Sequence, residues 1–328
     1  MDGSLGLKDF LFKRLAFMLV TLFIVVTLNF AIPRVMPGDP ISHLMVDARL
    51  PPAARAALIE RFSMDKSVLE QYVSYVSNLL QGDLGLSFSH YPRHVSTIIL
   101  ERLPWTLLLL GISTFLATAL GLYLGVISAW RHGEKTDVSI QAVGLALWSM
   151  PIYWLGMLML YFIGFQLGLA PLGGATSPRL GYSSGLEYVK DVLWHMALPI
   201  ATLTLGGFAS NTLIMRGSML EVIKEDYVTT AEAKGLGERN VMWGHAARNA
   251  MLPMVTVIAL NLAGIVGGAV FTETVFSYPG VGRLIYDAVL AHDYPLLQGS
   301  FLIIAVCVLL ANFFADVIYA YLDPRIKF

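Results

Sequence analysis

Long apolar runs separated by polar segments dominate this chain of 328 residues. Six runs contain no Asp, Glu, Lys or Arg: 15–33, 103–130, 138–178, 192–215, 249–272 and 294–315. Each run is close to or above the roughly 20 residues that an α-helix needs to cross a bilayer. The pattern therefore predicts an all-α, polytopic membrane protein with about six transmembrane helices.

The third run is long enough for two helices, but two features divide it. The sequence Pro171-Leu172-Gly173-Gly174 is typical of a turn and predicts that a span ends near Gly168. Pro151 predicts a kink rather than a break, because a proline removes one backbone hydrogen bond from a helix. We therefore count this run as one crossing.

Charge decides the orientation and excludes some functions. Lys and Arg number three before the first run, two at 131–137, five at 216–248 and two at the C-terminus. Because basic residues concentrate in cytoplasmic loops, these counts predict that both termini lie in the cytoplasm. Lys13 and Arg14 precede the first run, which we interpret as an uncleaved anchor because no small-residue cleavage site follows. The net charge of -1 gives no basic field for nucleic acid, and a single cysteine, Cys307, excludes a disulfide framework.

The predicted order of segments follows from these boundaries. It is a cytoplasmic N-terminus at 1–14, a first transmembrane helix at 15–33, an extracytoplasmic cap at 34–102, a transmembrane core at 103–322 containing a cytoplasmic loop at 216–248, and a cytoplasmic C-terminus at 323–328. Two helices are expected in the cap. Pro51-Pro52 can start the first, and Ser67-Val68-Leu69-Glu70 fits a capping box for the second, which Gly82 ends.

Small residues recur at helical spacing inside the spans, in the pairs Gly121 with Gly125, Gly164 with Gly168, and Gly264 with Gly268. Such pairs let helix backbones approach closely. The contact is either within one subunit or with a second subunit, and the sequence does not separate these alternatives.

The loop at 216–248 balances five basic residues with five acidic ones. Asp226 can cap a short helix that runs to Lys234, and Gly235 and Gly237 supply its stop and a sharp exit. The small residues Ala231 and Ala233 suit insertion of this helix into a groove on a partner, although a solvated linker has the same pattern.

The segment Glu225-Asp226-Tyr227-Val228-Thr229-Thr230-Ala231-Glu232-Ala233-Lys234-Gly235-Leu236 resembles the coupling loop of ABC importer permeases of the oligopeptide/dipeptide branch. In that family the loop carries Glu-Ala-Ala-x-x-x-Gly and a downstream proline. Ala231, Gly235 and Pro253 match, whereas Thr229 and Thr230 replace the Glu-Ala start. Other landmarks in family order are Pro37-Gly38-Asp39-Pro40, Gly82-Asp83-Leu84-Gly85, Arg102-Leu103-Pro104, the segment from Phe276 to Leu284, Asp293-Tyr294-Pro295 and Asp323-Pro324-Arg325.

The resemblance implies the ABC importer permease fold in a prokaryotic inner membrane. It implies a heterodimer with a second, homologous permease, two ATP-binding subunits that use ATP and Mg, and an extracytoplasmic binding protein that delivers di- or oligopeptides. Relatives with the same loops import oligosaccharides, nickel complexes or other small solutes, so these stay as alternatives.

The resemblance and the loop pattern together give three sets of candidate residues. The coupling set comprises Asp226, Tyr227, Ala231, Glu232, Ala233, Lys234, Gly235 and Gly237. The candidate translocation path comprises Asn211, Met215 and Asn261, for which helix packing is the alternative role. The candidate contact with the binding protein, or outer gate, comprises Tyr278, Pro279, Gly280 and Arg283.

No catalytic or metal-binding residues are predicted. No charge interrupts a run, which disfavours a proton-coupled secondary transporter or a channel. None of Ser113, Ser149 and Ser210 lies in a Gly-x-Ser-x-Gly setting, which disfavours an intramembrane enzyme. The segment 133–136 lacks the glycine of a phosphate-binding loop, so this chain should bind no ATP or other cofactor itself.

Overall fold

The structure is a computed structural model that describes residues 7–35, 66–178, 181–251, 254, 257 and 270–322. Its helices are α1 (Leu7–Val35), α2 (Val68–Leu80), α3 (Val95–Trp130), α4 (Lys135–Ser149), α5 (Ile152–Met159, extended by a π-helical segment Leu160–Gln166), α6 (Gly185–Val222), α7 (Asp226–Ala233), α8 (Glu238–Asn240, the π-helical Val241–Ala246 and Ala247–Ala250), α9 (Val270–Val275), α10 (Val281–Leu290) and α11 (Tyr294–Leu322). An isolated bridge, Leu86 to His94, is the only β pairing in the described ranges. The predicted all-α class is confirmed.

Four described helices, α1, α3, α6 and α11, are long and apolar enough to cross a membrane. The pair α4 and α5 makes a fifth crossing if the bent pair is one span. The predicted run at 249–272 lies largely outside the described residues, and so do the first cap helix and Asn261. The structure therefore accounts for up to five of the six predicted crossings by length and composition.

The prediction of a mere kink at Pro151 is wrong. Helices α4 and α5 meet at an angle of 101°. Met150 adopts φ -79° and ψ 133°, and Pro151 adopts φ -57° and ψ 130°, so two consecutive residues are extended. The cause is that a proline disfavours helical backbone in the residue before it.

The chain forms two units. One contains α1, α2, the start of α3, α10 and α11; the other contains the rest of α3, α4 to α8, and most of α9 with the turn after it. The core of the first unit joins α3, α10 and α11 through residues such as Ile98, Leu284 and Leu296. The core of the second joins α3, α6, α7 and α8 around Met215 and Met219.

Helix α2 begins as predicted. The Ser67 hydroxyl accepts the Glu70 backbone N–H, and the Glu70 carboxylate accepts the Ser67 backbone N–H, which is a complete capping box. Its tyrosines meet α1, since the Tyr72 hydroxyl lies 2.9 Å from the Thr27 hydroxyl. Leu69 and Leu80 remain exposed, so only part of the apolar surface of α2 packs on a span.

Candidate coupling site

Helix α7 is the short helix predicted from the polar loop. It covers Asp226–Ala233 and ends at Lys234, and Gly235 follows in the left-handed region at φ 75°. The Gly235 N–H donates to the Glu232 carbonyl over 2.9 Å. A glycine at this position satisfies the last carbonyls of a helix without the strain that a side chain would bring.

The predicted cap at Asp226 is wrong by one residue. Glu225 is the N-cap, with φ -76° and ψ 142°, and its side chain makes no capping hydrogen bond. Asp226 is the first helical residue. Its carboxylate still lies in the first turn, where the positive end of the helix dipole favours a negative charge.

The two faces of α7 differ sharply. Val228 and Ala231 are buried, whereas the other helical residues and Lys234 are exposed. Ala231 therefore packs on this chain and not on a partner, while Ala233 is on the open face. Five more of the predicted coupling residues are exposed on the helix or at its end, namely Asp226, Tyr227, Glu232, Ala233 and Lys234. The last two, Gly235 and Gly237, follow the helix and are also exposed.

The buried face of α7 joins three longer helices. Val228 and Ala231 belong to one apolar cluster with Val126 and Ala129 of α3, Met215 and Met219 of α6, and Val241, Ala246, Ala247 and Ala250 of α8. These side chains are all nearly inaccessible to solvent. Because close-packed side chains leave little free volume, a displacement of α7 must be passed to these helices.

A polar clamp around Asp137 joins α3, α4 and α6 in the same unit. Arg216 donates to both oxygens of the Asp137 carboxylate, from Nε over 2.9 Å and from a terminal nitrogen over 2.8 Å. Ser128 Oγ donates to Oδ1 over 2.5 Å, and the Gly133 N–H donates to Oδ2 over 3.0 Å. The two-pronged geometry makes this a strong, orientation-specific pair.

The sequence prediction did not include this clamp, although it held a signal. Asp137 stands immediately before the charge-free run 138–178, and Arg216 stands immediately after the run 192–215. Two opposite charges that border two spans are candidates for a pair at one end of a helix bundle. Neighbouring spans, however, are not identifiable from a single sequence.

Two of the predicted path residues pack on α3. A Cβ placed on Gly121 would lie 2.5 Å from Asn211 Cβ, and one on Gly125 would lie 2.7 Å from Met215 Cβ. Both side chains are buried. The Gly121 and Gly125 pair therefore serves contact within one subunit, and a path-lining role for Asn211 and Met215 stays a prediction.

The predicted outer-gate residues occupy a turn in which Tyr278 is wholly buried. Its N–H donates to the Glu273 carbonyl over 2.7 Å, and burial raises the pKa of its hydroxyl. Gly280 is also buried and precedes α10, whose first N–H, at Val281, donates to the Thr106 hydroxyl over 2.8 Å. Pro279 and Arg283 are partly exposed and remain the better candidates for a contact surface.

Two other landmarks meet at Asp293. Its carboxylate accepts hydrogen bonds from the Ser87 hydroxyl and from both the N–H and the hydroxyl of Ser89. Its other oxygen accepts the Leu296 N–H at the start of α11. Asp83 shapes the same segment, because its carboxylate accepts the Gly85 N–H over 2.8 Å. The segment after α2 is thereby fastened to α11 within one unit.

The helical arrangement is that of an importer permease. It matches a chain of the MetNI methionine ABC transporter in an inward-facing conformation with a TM-score of 0.55, at 17% identity, over 69% of this chain and 96% of that chain. A likeness at this identity establishes the fold.

Sequence comparisons establish the family. The sequence-family model of the binding-protein-dependent transport system inner membrane component matches residues 121–328, and the family model of its N-terminal part matches residues 7–110. The chain belongs to this family and is a multi-pass component of the inner membrane.

Two relatives illustrate the branch. The di/tripeptide transport system permease protein DppB of Pseudomonas aeruginosa is 37% identical over 97% of this chain and 98% of its own length. The oligopeptide transport system permease protein AppB of Bacillus subtilis is 35% identical over 92% of this chain and 93% of its own length.

Proposed function

We propose that this chain is one of two permease subunits of an ATP-driven importer that takes up di- or oligopeptides. The observation that carries the proposal is the short helix α7, which has one face packed on α3, α6 and α8 and the other face open. Such a helix suits a partner that pushes on the open face. In an importer of this family, that partner is an ATP-binding subunit.

The proposed mechanism is mechanical. Two ATPase subunits bind ATP and Mg and close, and one of them displaces α7 as a rigid lever. The apolar cluster passes this displacement to the spans, and the Asp137 to Arg216 pair keeps the ends of α3, α4 and α6 in register during the movement. ATP hydrolysis then selects between inward-open and outward-open states through differential contacts. This chain supplies no catalytic group.

The peptide assignment is supported by the relatives. Their names specify dipeptides, tripeptides or oligopeptides, and their sequences match this chain over nearly its full length. We infer that the second permease is a homologous chain, so that the pathway is a heterodimer. A binding protein on the opposite side from α7 delivers the substrate, and both termini lie on the α7 side.

Transport by the reconstituted complex tests the proposal. The chain would be placed in vesicles with its second permease, the ATPase subunits and the binding protein, and uptake of a labelled dipeptide would be measured with competing peptides or oligosaccharides. We expect ATP-dependent uptake that unlabelled peptides suppress and sugars do not. Uptake without ATP would contradict the importer class, and suppression by the sugar alone would contradict the peptide assignment.

A further inference from the structure

A groove of about 970 Å³ opens between the end of α3 and the start of α8. Tyr123, Ile127 and Trp130 form the α3 wall, and Met242 and Trp243 form the α8 wall. All of these residues belong to one unit of the chain. Trp130, Met242 and Trp243 also pack against the apolar cluster that includes Val228 and Ala231 of α7, but no residue of α7 lines the groove. The proposed coupling does not explain why the groove is open.

The groove lies where a span meets the water. Helix α3 is apolar up to Trp130, and Arg131, Glu134 and Lys135 follow within five residues. Tyr123 is seven residues before Trp130, which on a helix is about 10 Å deeper. The groove therefore extends from the headgroup level of the bilayer into the first part of the acyl chains.

The aromatic residues of the groove are of the types that are common at the headgroup level of a membrane. The rings of Tyr123 and Trp243 stack with centroids 5.7 Å apart at an angle of 17°. The Trp130 indole N–H donates to the Glu238 carboxylate over 2.7 Å. Trp and Tyr are enriched at membrane interfaces because their rings are apolar and their polar groups reach water.

Two arginines make the lining positive. Arg131 follows α3 and Arg239 lies on α8, and both are exposed. Neither forms an ion pair with any residue in the described ranges. The one acidic group of the lining, Glu238, already accepts the Trp130 indole, so two cations and one anion leave a net charge of +1.

We propose that this groove binds an anionic phospholipid. The phosphate of the headgroup is held by the guanidinium groups of Arg131 and Arg239, which can each donate two hydrogen bonds to phosphate oxygens. The glycerol and the upper acyl chains lie against Ile127, Met242 and the stacked rings. A soluble anion would use the two arginines alone, whereas a lipid also uses the apolar part of the groove.

Lipid retention by the purified, fully assembled importer tests the proposal. The complex would be extracted in detergent and incorporated into nanodiscs of phosphatidylcholine with a minor fraction of phosphatidylglycerol. The lipid retained after re-extraction would be measured by mass spectrometry. The double variant Arg131→Gln with Arg239→Gln should lower retained phosphatidylglycerol roughly 25-fold, about fivefold for each arginine near the lipid surface. Phosphatidylcholine should not change.

Two further variants separate charge from shape. Ile127→Trp narrows the groove at constant charge and should also lower retention of phosphatidylglycerol. The matched control, Lys224→Gln with Arg248→Gln, removes two exposed cations from the same polar side but outside the groove lining, and should leave retention unchanged.

Three results would overturn the proposal. They are equal retention by the arginine variant and the control, displacement of the lipid by inorganic phosphate at equal concentration, and no retained phosphatidylglycerol on the parent importer assembled with its ATPase subunits. The last would show that a protein partner covers the groove. Because the readout is bound lipid and not uptake, failure here is distinguishable from failure of the importer assignment.

Discussion

The short helices α7 and α10 are held in different ways. Helix α7 has eight residues and buries two, Val228 and Ala231. Helix α10 has ten residues and buries five: Val281, Gly282, Leu284, Ile285 and Ala288. The first leaves most of its surface to solvent, and the second gives four of its ten residues to a core with α3 and α11.

The difference indicates two roles. A helix that buries large aliphatic side chains adds much to the stability of the fold. A helix that rests on small side chains and shows a polar face adds less to stability and can engage another protein. On this account the buried face of α10 is structural, whereas α7 depends on neighbours that the Asp137 clamp keeps in place.

The largest expected effect comes from breaking that clamp. Arg216→Ala leaves the Asp137 carboxylate, whose side chain is 4% exposed, without its permanently charged partner, although His132 Nδ1 stays 3.2 Å away. The loss should cost about 3 to 5 kcal/mol of unfolding free energy. Unfolding of the purified protein in detergent measures it. Arg216→Lys keeps the charge but loses the two-pronged geometry and should cost less. A loss of unfolding free energy below about 1 kcal/mol for the alanine variant is what an exposed ion pair contributes. It would show that apolar contacts alone hold these ends of α3, α4 and α6 together.

The next effect tests whether α10 is structural. Leu284→Ala removes a buried side chain from the core that α10 shares with α3 and α11, and should cost about 3 kcal/mol of unfolding free energy. Leu290→Ala, on the same helix at a position 63% exposed, is the matched control and should stay within about 0.5 kcal/mol of the parent. Equal losses of unfolding free energy for the two variants would show that the buried face of α10 does not stabilise the fold, and α10 would then not differ from α7 in this respect.

The smallest effect on stability separates the two faces of α7. Ala231→Leu forces extra volume between α7 and the buried Met215 and Met219, and should cost about 1 to 3 kcal/mol of unfolding free energy. Ala233→Leu adds the same volume on the exposed face, so it should leave stability within about 0.5 kcal/mol but lower ATP-driven uptake. Normal uptake by a well-assembled Ala233→Leu complex would argue against a partner on this face.

Local signals in the sequence predicted local structure well. The capping box at Ser67 and Glu70, the end of the third run near Gly168, and the short helix with its glycine stop all depend on residues within a few positions of one another. Such features follow from backbone preferences and nearby hydrogen bonds. The prediction at Pro151 failed because the preceding residue, Met150, also left the helical region and turned the expected kink into a break.

Long-range polar contacts were beyond sequence reasoning. Arg216 and Asp137 are 79 residues apart, and Ser87 and Asp293 are 206 apart. Each is a contact of a buried carboxylate that depends on which helices are neighbours, and an apolar run carries no information about its neighbours. The Asp83 and Asp293 landmarks were identifiable by resemblance, but their physical role as anchors of the same segment needed coordinates.

The central claim, that α7 transmits the work of ATP hydrolysis, is tested most directly by Gly235→Val in the reconstituted importer. Gly235 has φ 75° and open space around it. A valine there contacts no neighbour but strains the left-handed backbone turn that ends α7. Gly244→Ala, at a glycine with open space and an ordinary φ, is the control. We predict an assembled complex that hydrolyses ATP while its peptide uptake falls to a small fraction of the control. Unchanged uptake per ATP hydrolysed would contradict the account.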